Sequence, residues 1–158
     1  MDSIWFLDCL IRDLSPGSAP DASYAVLEMT APPGSQPPPH IHHDEDEGFY
    51  VLDGEITLYT PDGALTLGPG EMANGPQGVP HTFRAGPAGV RMLVIFAPAG
   101  FADFVEEIGV PAERDELPVM SGPPDMVRLT EVAARHGIEF VGPPGAVPAP
   151  AQAALGPA

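Results

Sequence analysis

The sequence predicts an all-β protein: an antiparallel barrel or jelly roll with one or two C-terminal helices. Three observations predict it. Strand-prone apolar runs are short, and turns rich in glycine and proline separate them; the 18 glycines and 22 prolines of the 158 residues mostly punctuate these runs. About eight to ten such segments fit before residue 98, the pattern of a small closed β architecture. After that point the composition changes, and apolar residues recur at helical spacing. Residues 1–98 are therefore expected to form the barrel, 99–141 a helical appendage packed on it, and 142–158 a Pro/Ala-rich disordered tail.

Ile4 to Leu14 reads as one or two strands closed by Ser15-Pro16-Gly17. Trp5 and Phe6 either close one end of the core or offer an apolar surface. Tyr24 to Thr30 is the next strand, ended by Ala31-Pro32-Pro33-Gly34. The three prolines 37–39 force an extended approach to His40. Phe49–Leu52 and Glu55–Thr60 are expected to pair as a hairpin across Asp53-Gly54, a strong turn signal. Pro61-Asp62-Gly63 turns the chain again, and Ala64–Leu67 returns. Next come a short Met72-centred strand, a strand opened by His81 (Thr82-Phe83-Arg84), and a last long strand, Val90 to Ala97. Phe101 to Ile108 carries apolar residues at 101, 104, 105 and 108, a helical stripe. Pro124 to His136 predicts a second helix with Asp125 near its start, Leu129, Val132 and Ala133 on one face, and Gly137 as its stop. Helices so placed would cap the barrel or cover its outer face.

The candidate chemistry lies in Gly34 to Gly54, GSQPPPHIHHDEDEGFYVLDG, a G-x5-H-x-H-x4-E-x6-G pattern. Residues two apart on a strand share a face. His40 and His42 can therefore aim at one point, with Ile41 turned away, and Glu47 returns to that point from the start of the next strand. Two neutral imidazoles and a carboxylate form a ligand set for a divalent transition metal. Gly70 to Ala85, GEMANGPQGVPHTFRA, reads G-x5-P-x-G-x2-H and offers His81 as a fourth ligand. Alternation turns His43 away from His42. Asp44, Glu45 and Asp46 read as solvated loop acids, with Glu45 a rival for the carboxylate position. The same alternation puts Phe49 and Val51 on the face of Glu47, and Phe83 and Ala85 on the face of His81. These four are the expected substrate-binding residues of an apolar, aromatic pocket, with Arg84 pointing out.

Both stretches resemble the cupin superfamily, whose two motifs are these patterns. The first is matched at Gly34, His40, His42, Glu47 and Gly54, and the second at Gly70, Pro76, Gly78 and His81. Ala85 stands where the family's final Asn is usual. Fifteen residues separate the motifs, as in compact bacterial cupins, and the resemblance covers roughly residues 20 to 98. It implies a cupin jelly-roll barrel. Cupin sheets usually pair and their leading strand commonly packs on a second subunit, so it also implies a homodimer, with Trp5 and Phe6 as candidate contacts. The segments PPPHIHHDEDEGFYVLDGE, VPHTFR and ARHGIEFVGPP look like the quercetin 2,3-dioxygenase-like group. By that resemblance His40, His42, Glu47 and His81 hold one divalent metal (Fe, Mn, Ni, Co, Cu or Zn) chelated by a flavonol or similar enol-bearing aromatic. Glu47 would stay ligated or act as catalytic general base.

Composition narrows the partners. With 22 acidic against 6 basic residues and a formal charge of −16, the chain repels phosphate backbones and anionic lipid, so neither nucleic acid nor a membrane is expected. Cys9 is the only cysteine, read as a buried, inert thiol, and no disulfide framework exists. MDSIWFLDCLIRD lacks the basic start and apolar core of a signal peptide, which makes the cytoplasm the expected location. Three readings stay open: a quercetinase-like dioxygenase, a non-oxidative isomerase, cyclase or decarboxylase, and a non-catalytic metal- or ligand-binding protein. The carboxylate ligand disfavours a thiol dioxygenase.

Overall fold

A computed structural model describes residues 3–15 and 22–151. Pro16 and Gly17 of the expected first turn, and residues 152–158 of the expected tail, lie outside the described residues.

Among the described residues the fold is mostly β and antiparallel, with two short helices. β1 (Ser3–Phe6) and β2 (Cys9–Asp13) form a hairpin with Phe6 opposite Cys9. β3 (Ala25–Ala31) buries alternate residues and pairs with β2. The remaining strands are β4 (His40–His42), β5 (Asp46–Thr60), β6 (Gly63–Leu67), β7 (Met72–Gly75), β8 (Thr82–Ala97), β9 (Val110–Pro111) and β10 (Ile138–Phe140). The large sheet runs β6-β5-β8-β3-β2-β1-β9, with β7 also on β5, and β10 pairs β4 in a second, two-stranded sheet. Phe49, Val51, Ile56, Met92 and Phe96, all fully buried, fill the middle. Among the described residues no helix is long and apolar enough to cross a membrane.

Two expected boundaries are corrected. Asp53-Gly54 is not a hairpin turn. It lies inside the 15-residue β5, which pairs along its length with the 16-residue β8 through register shifts at Val51/Asp53 and Gly54/Ile56. Likewise Thr82–Arg84 and Val90–Ala97 belong to one strand, which carries Gly86-Pro87-Ala88-Gly89 within it. The reason is shared chemistry: Asp-Gly supplies a positive φ, +77° at Gly54, which a bulge uses as readily as a turn. The partner strand decides. Any Cβ at Gly54 would overlap the carbonyl oxygen of Gly89.

The helices fall where their stripes predict. α1 spans Phe101–Ile108 and buries Phe101, Phe104 and Val105. α2 spans Met126–Arg135; Asp125 caps it by accepting from the N–H groups of Val127 and Arg128, and Gly137, at φ +70°, ends it. The segment after residue 98 does not stand apart from the barrel, because β9 pairs β1 and β10 pairs β4. Nor are residues 142–151 a loose tail. They run along the barrel, where Ala146 O accepts from Gln36 Nε2 and Ala151 N–H donates to Pro61 O. Backbone bonds to the barrel replace the side-chain pattern that this stretch lacks. Phe6 is an interior residue, edge-on to Phe101 and Phe104, while Trp5 donates through Nε1 to Glu116 O.

Candidate metal centre

Three prolines deliver the chain in extended form to β4, and Thr82 donates to Pro37 O at 2.6 Å to hold that approach. His40 and His81 then exchange backbone hydrogen bonds of 3.0 and 2.9 Å, which places the two motifs side by side. Glu47 enters from the start of β5. His40, His42, Glu47 and His81 are all buried, and one donor atom of each lies within 4.8 Å of the others. The structure thus brings together all four residues that the sequence nominates.

Hydrogen bonds decide which nitrogen each ring presents. Nδ1–H of His40 donates to Pro38 O at 2.8 Å, that of His81 to Val79 O at 3.1 Å, and that of His42 to Glu45 Oε1 at 3.0 Å. With Nδ1 protonated, a neutral ring presents only a lone pair at Nε2. The lone pairs of His81 and His42 face Glu47, whose Oε2 lies 2.8 Å from His81 Nε2 and 3.1 Å from His42 Nε2. The His42 contact is electrostatic rather than directional, and that buried Nε2 has no hydrogen-bond partner. Acceptors crowded in this way require a positive charge among them. Metal-free, that charge is a proton. Burial, and then the charge of His81, lowers the His40 pKa to about 4. Burial opposes charging of His42 too, but its bond to Glu45 and the charge of Glu47 raise it to about 9. Burial would raise Glu47, yet His42 and His81 overcome it and hold the carboxyl well below its usual range. A divalent ion fits the same donors better, since it satisfies several lone pairs at once.

Two residues of the site escaped sequence reasoning. Gly75 lies opposite Glu47 in the β5–β7 ladder, and a Cβ there would fall 2.8–3.0 Å from three atoms of the His81 ring. An isolated glycine in a short strand was the available signal of close approach. Glu45 is neither a solvated acid nor a rival ligand: it is 4% exposed and turned toward Nδ1 of His42, on the far side from the cluster. Its neighbours Asp44 and Asp46 are exposed as expected, and exposed His43 pairs with Glu139 at 2.7 Å.

A cavity of about 430 Å³ reaches the cluster through His40 and Glu47. Of the expected substrate-binding residues only Phe83 lines it. Phe49, Val51 and Ala85 face inward as alternation requires, but at 0–3% exposed they are core filling, because a small barrel packs its own interior. The walls come from elsewhere: Phe6 of β1, Phe101 and Phe104 of α1, Met126 and Leu129 of α2, and Phe140 of β10. Asp8, Ser35 and Gln36 add a polar edge, and no Lys or Arg lines the cavity among the described residues. Residues of both helices thus line the cavity onto which His40 and Glu47 open.

Residues 27–96, a span that holds all four donors, match the cupin domain family. Among curated proteins it is 27% identical over 111 residues to the quercetin 2,3-dioxygenase of Bacillus subtilis (strain 168), across 70% of this chain. The match covers 33% of that relative's length. Among solved structures, ectoine synthase from P. lautus superposes with a TM-score of 0.54 at 20% identity, covering 78% of this chain and 88% of its own. KdgF from Halomonas sp. gives 0.52 at 20% identity, covering 58% and 79%. A Bacillus subtilis oxalate decarboxylase variant gives 0.55 at 22% identity, covering 69% and 29%. These structural likenesses concern the fold alone.

Proposed function

We propose that this protein is a metal-dependent cupin enzyme acting on a small, neutral aromatic molecule with an enol or phenol hydroxyl, as a quercetinase-like dioxygenase. The observation that carries the reading is a cluster of buried acceptors, turned toward one another, on the wall of an apolar cavity. His40, His42, Glu47 and His81 would hold one divalent transition ion. Such an ion supplies Lewis acidity toward a hydroxyl oxygen and, if redox-active, one-electron chemistry.

The protein's own groups do the rest. At about 430 Å³ the cavity suits a molecule of a few fused or linked rings, within the roughly 300–1,000 Å³ of small-molecule sites. Phe83, Phe101, Phe104 and Phe140 offer faces and edges against which such rings orient. The same walls exclude water. Glu47 Oε2 accepts the hydroxyl proton; its depressed pKa makes it a weak base, suited only to a hydroxyl that is already acidified. Asp8 and Glu47 are acidic and, among the described residues, no Lys or Arg lines the cavity, so away from the ion nothing pairs with a carboxylate or phosphate group of a substrate. The 27% identity to a quercetin 2,3-dioxygenase supports the oxidative form of the reading.

The test is elemental analysis of freshly isolated protein, followed by oxygen uptake with quercetin and related enol-bearing aromatics. About one ion per chain and substrate-dependent oxygen consumption are expected. Full turnover under strict anaerobiosis would overturn the dioxygenase and favour an isomerase, cyclase or decarboxylase. Metal-free protein that gains nothing from added ions would overturn the metal reading.

A further inference from the structure

The mechanism above makes no use of Glu45. A carboxylate that is 4% exposed is costly unless both oxygens are satisfied, and here they are. Oε1 accepts from Nδ1–H of His42 at 3.0 Å, and Oε2 accepts from the backbone N–H of Phe101 at 3.1 Å. The second bond closes the first turn of α1. Gly100, at the start of that helix, has no side chain to cap it, so a carboxylate from 56 residues earlier takes over the role. Phe101 in turn stacks on Phe96 at 4.1 Å and stands edge-on to His42 at 5.5 Å, while Phe101 and Phe104 wall the cavity.

We propose that Glu45 is a positioning residue that ties the helical wall of the cavity to the metal donors. One side chain keeps the proton of His42 on Nδ1, turns Nε2 inward, and anchors the turn of α1 against which a substrate would lie. Occupation of the metal site and order in α1 are then coupled, each favouring the other. This rests on the metal reading above.

Glu45→Gln and Glu45→Ala are the variants. A glutamine keeps the shape but has one acceptor oxygen, so it must lose one of the two bonds. Three readouts are taken on the full chain: Co²⁺ affinity by chelator competition, the visible spectrum of bound Co²⁺, and amide exchange at Phe101 and the rest of α1 with and without Co²⁺. Both variants are expected to lose about 10–100-fold in Co²⁺ affinity and to shift the Co²⁺ spectrum. Wild-type α1 should exchange more slowly once Co²⁺ binds, and this slowing should vanish in Glu45→Gln. Affinity within about twofold of wild type in a folded Glu45→Gln protein, or α1 exchange in wild type that ignores Co²⁺, would overturn the assignment. Wild-type protein that takes up no Co²⁺ overturns the metal reading itself, a separate failure.

Discussion

Replacing Gly75 with alanine adds one carbon and tests the site by sterics alone. The φ of Gly75 is not left-handed, so alanine can adopt its backbone without strain. The added Cβ would sit 2.8 Å from Cε1, 2.9 Å from Nε2 and 3.0 Å from Nδ1 of His81. Moving Cε1 out to ordinary contact, from 2.8 to 3.4 Å, displaces the ring by about 0.6 Å. His81 has no free space to retreat into: it is 0% exposed, and its Nδ1 is bound to Val79 O. Metal sites tolerate about 0.2 Å in donor distance, so the displacement is about three times what the donor set absorbs. We expect Zn²⁺ or Co²⁺ affinity to fall by about 10–100-fold and metal-free stability by about 1–3 kcal/mol, the usual cost of overpacking. Chelator competition measures the first, and thermal melts in excess chelator measure the second. Gly48→Ala is the matched control, since its Cβ is tight only against the flexible end of Met72, at 3.0 Å, and meets Asn74 Oδ1 and Ile95 Cβ at ordinary contact distances of 3.6 and 3.7 Å. Wild-type metal affinity in Gly75→Ala would refute the placement of His81 as a donor.

Three further outcomes are expected. His42→Ala and His81→Ala should each abolish stoichiometric metal while far-ultraviolet circular dichroism keeps its β signature; unchanged metal content by elemental analysis would count against the ligand set. Without metal, the lowered pKa of His40 contributes stability above its ordinary 6.5 that is lost as pH falls through about 4, while the raised pKa of His42 contributes stability below 6.5 that is lost as pH rises through about 9. Melting temperature in chelator should therefore peak near pH 6.5, and saturating metal should flatten the alkaline side; a metal-free optimum above pH 8 would contradict this. Burial, then the charge of Asp8, raises the Cys9 thiol well above its ordinary value. Native protein at pH 8 should accordingly resist a thiol-alkylating reagent that labels the unfolded chain, and equal labelling rates would contradict that burial.

Within the four-donor cluster, the His40/His42 pair was readable because strand spacing is local, whereas Glu47 and His81 were nominated by the spacing of the two motifs. On β4 the period of two puts His40 and His42 on one side whatever the strand pairs with, and both are buried there. The stripe at 101, 104 and 105 was legible for the same reason, as the helical period acts within one segment. Asp53-Gly54 shows where such reasoning stops. Its positive φ suits a turn or a bulge, and only the ladder with β8, more than thirty residues on, selects the bulge. Facing inward likewise does not say what lies opposite. Phe49 and Val51 point into the barrel and meet other side chains, whereas the cavity opens at the mouth, walled by α1, α2 and β10. Glu45 makes the point at one residue: Asp44, Glu45 and Asp46 are equivalent as a run of acids. The amide of Phe101, brought from 56 residues away, gives the middle carboxylate a partner that justifies its burial. The shared direction of His40 and His42 is a property of the chain's local geometry. The pocket, and the group that steadies His42, exist only once distant segments meet, because burial and partner choice are settled by non-local packing.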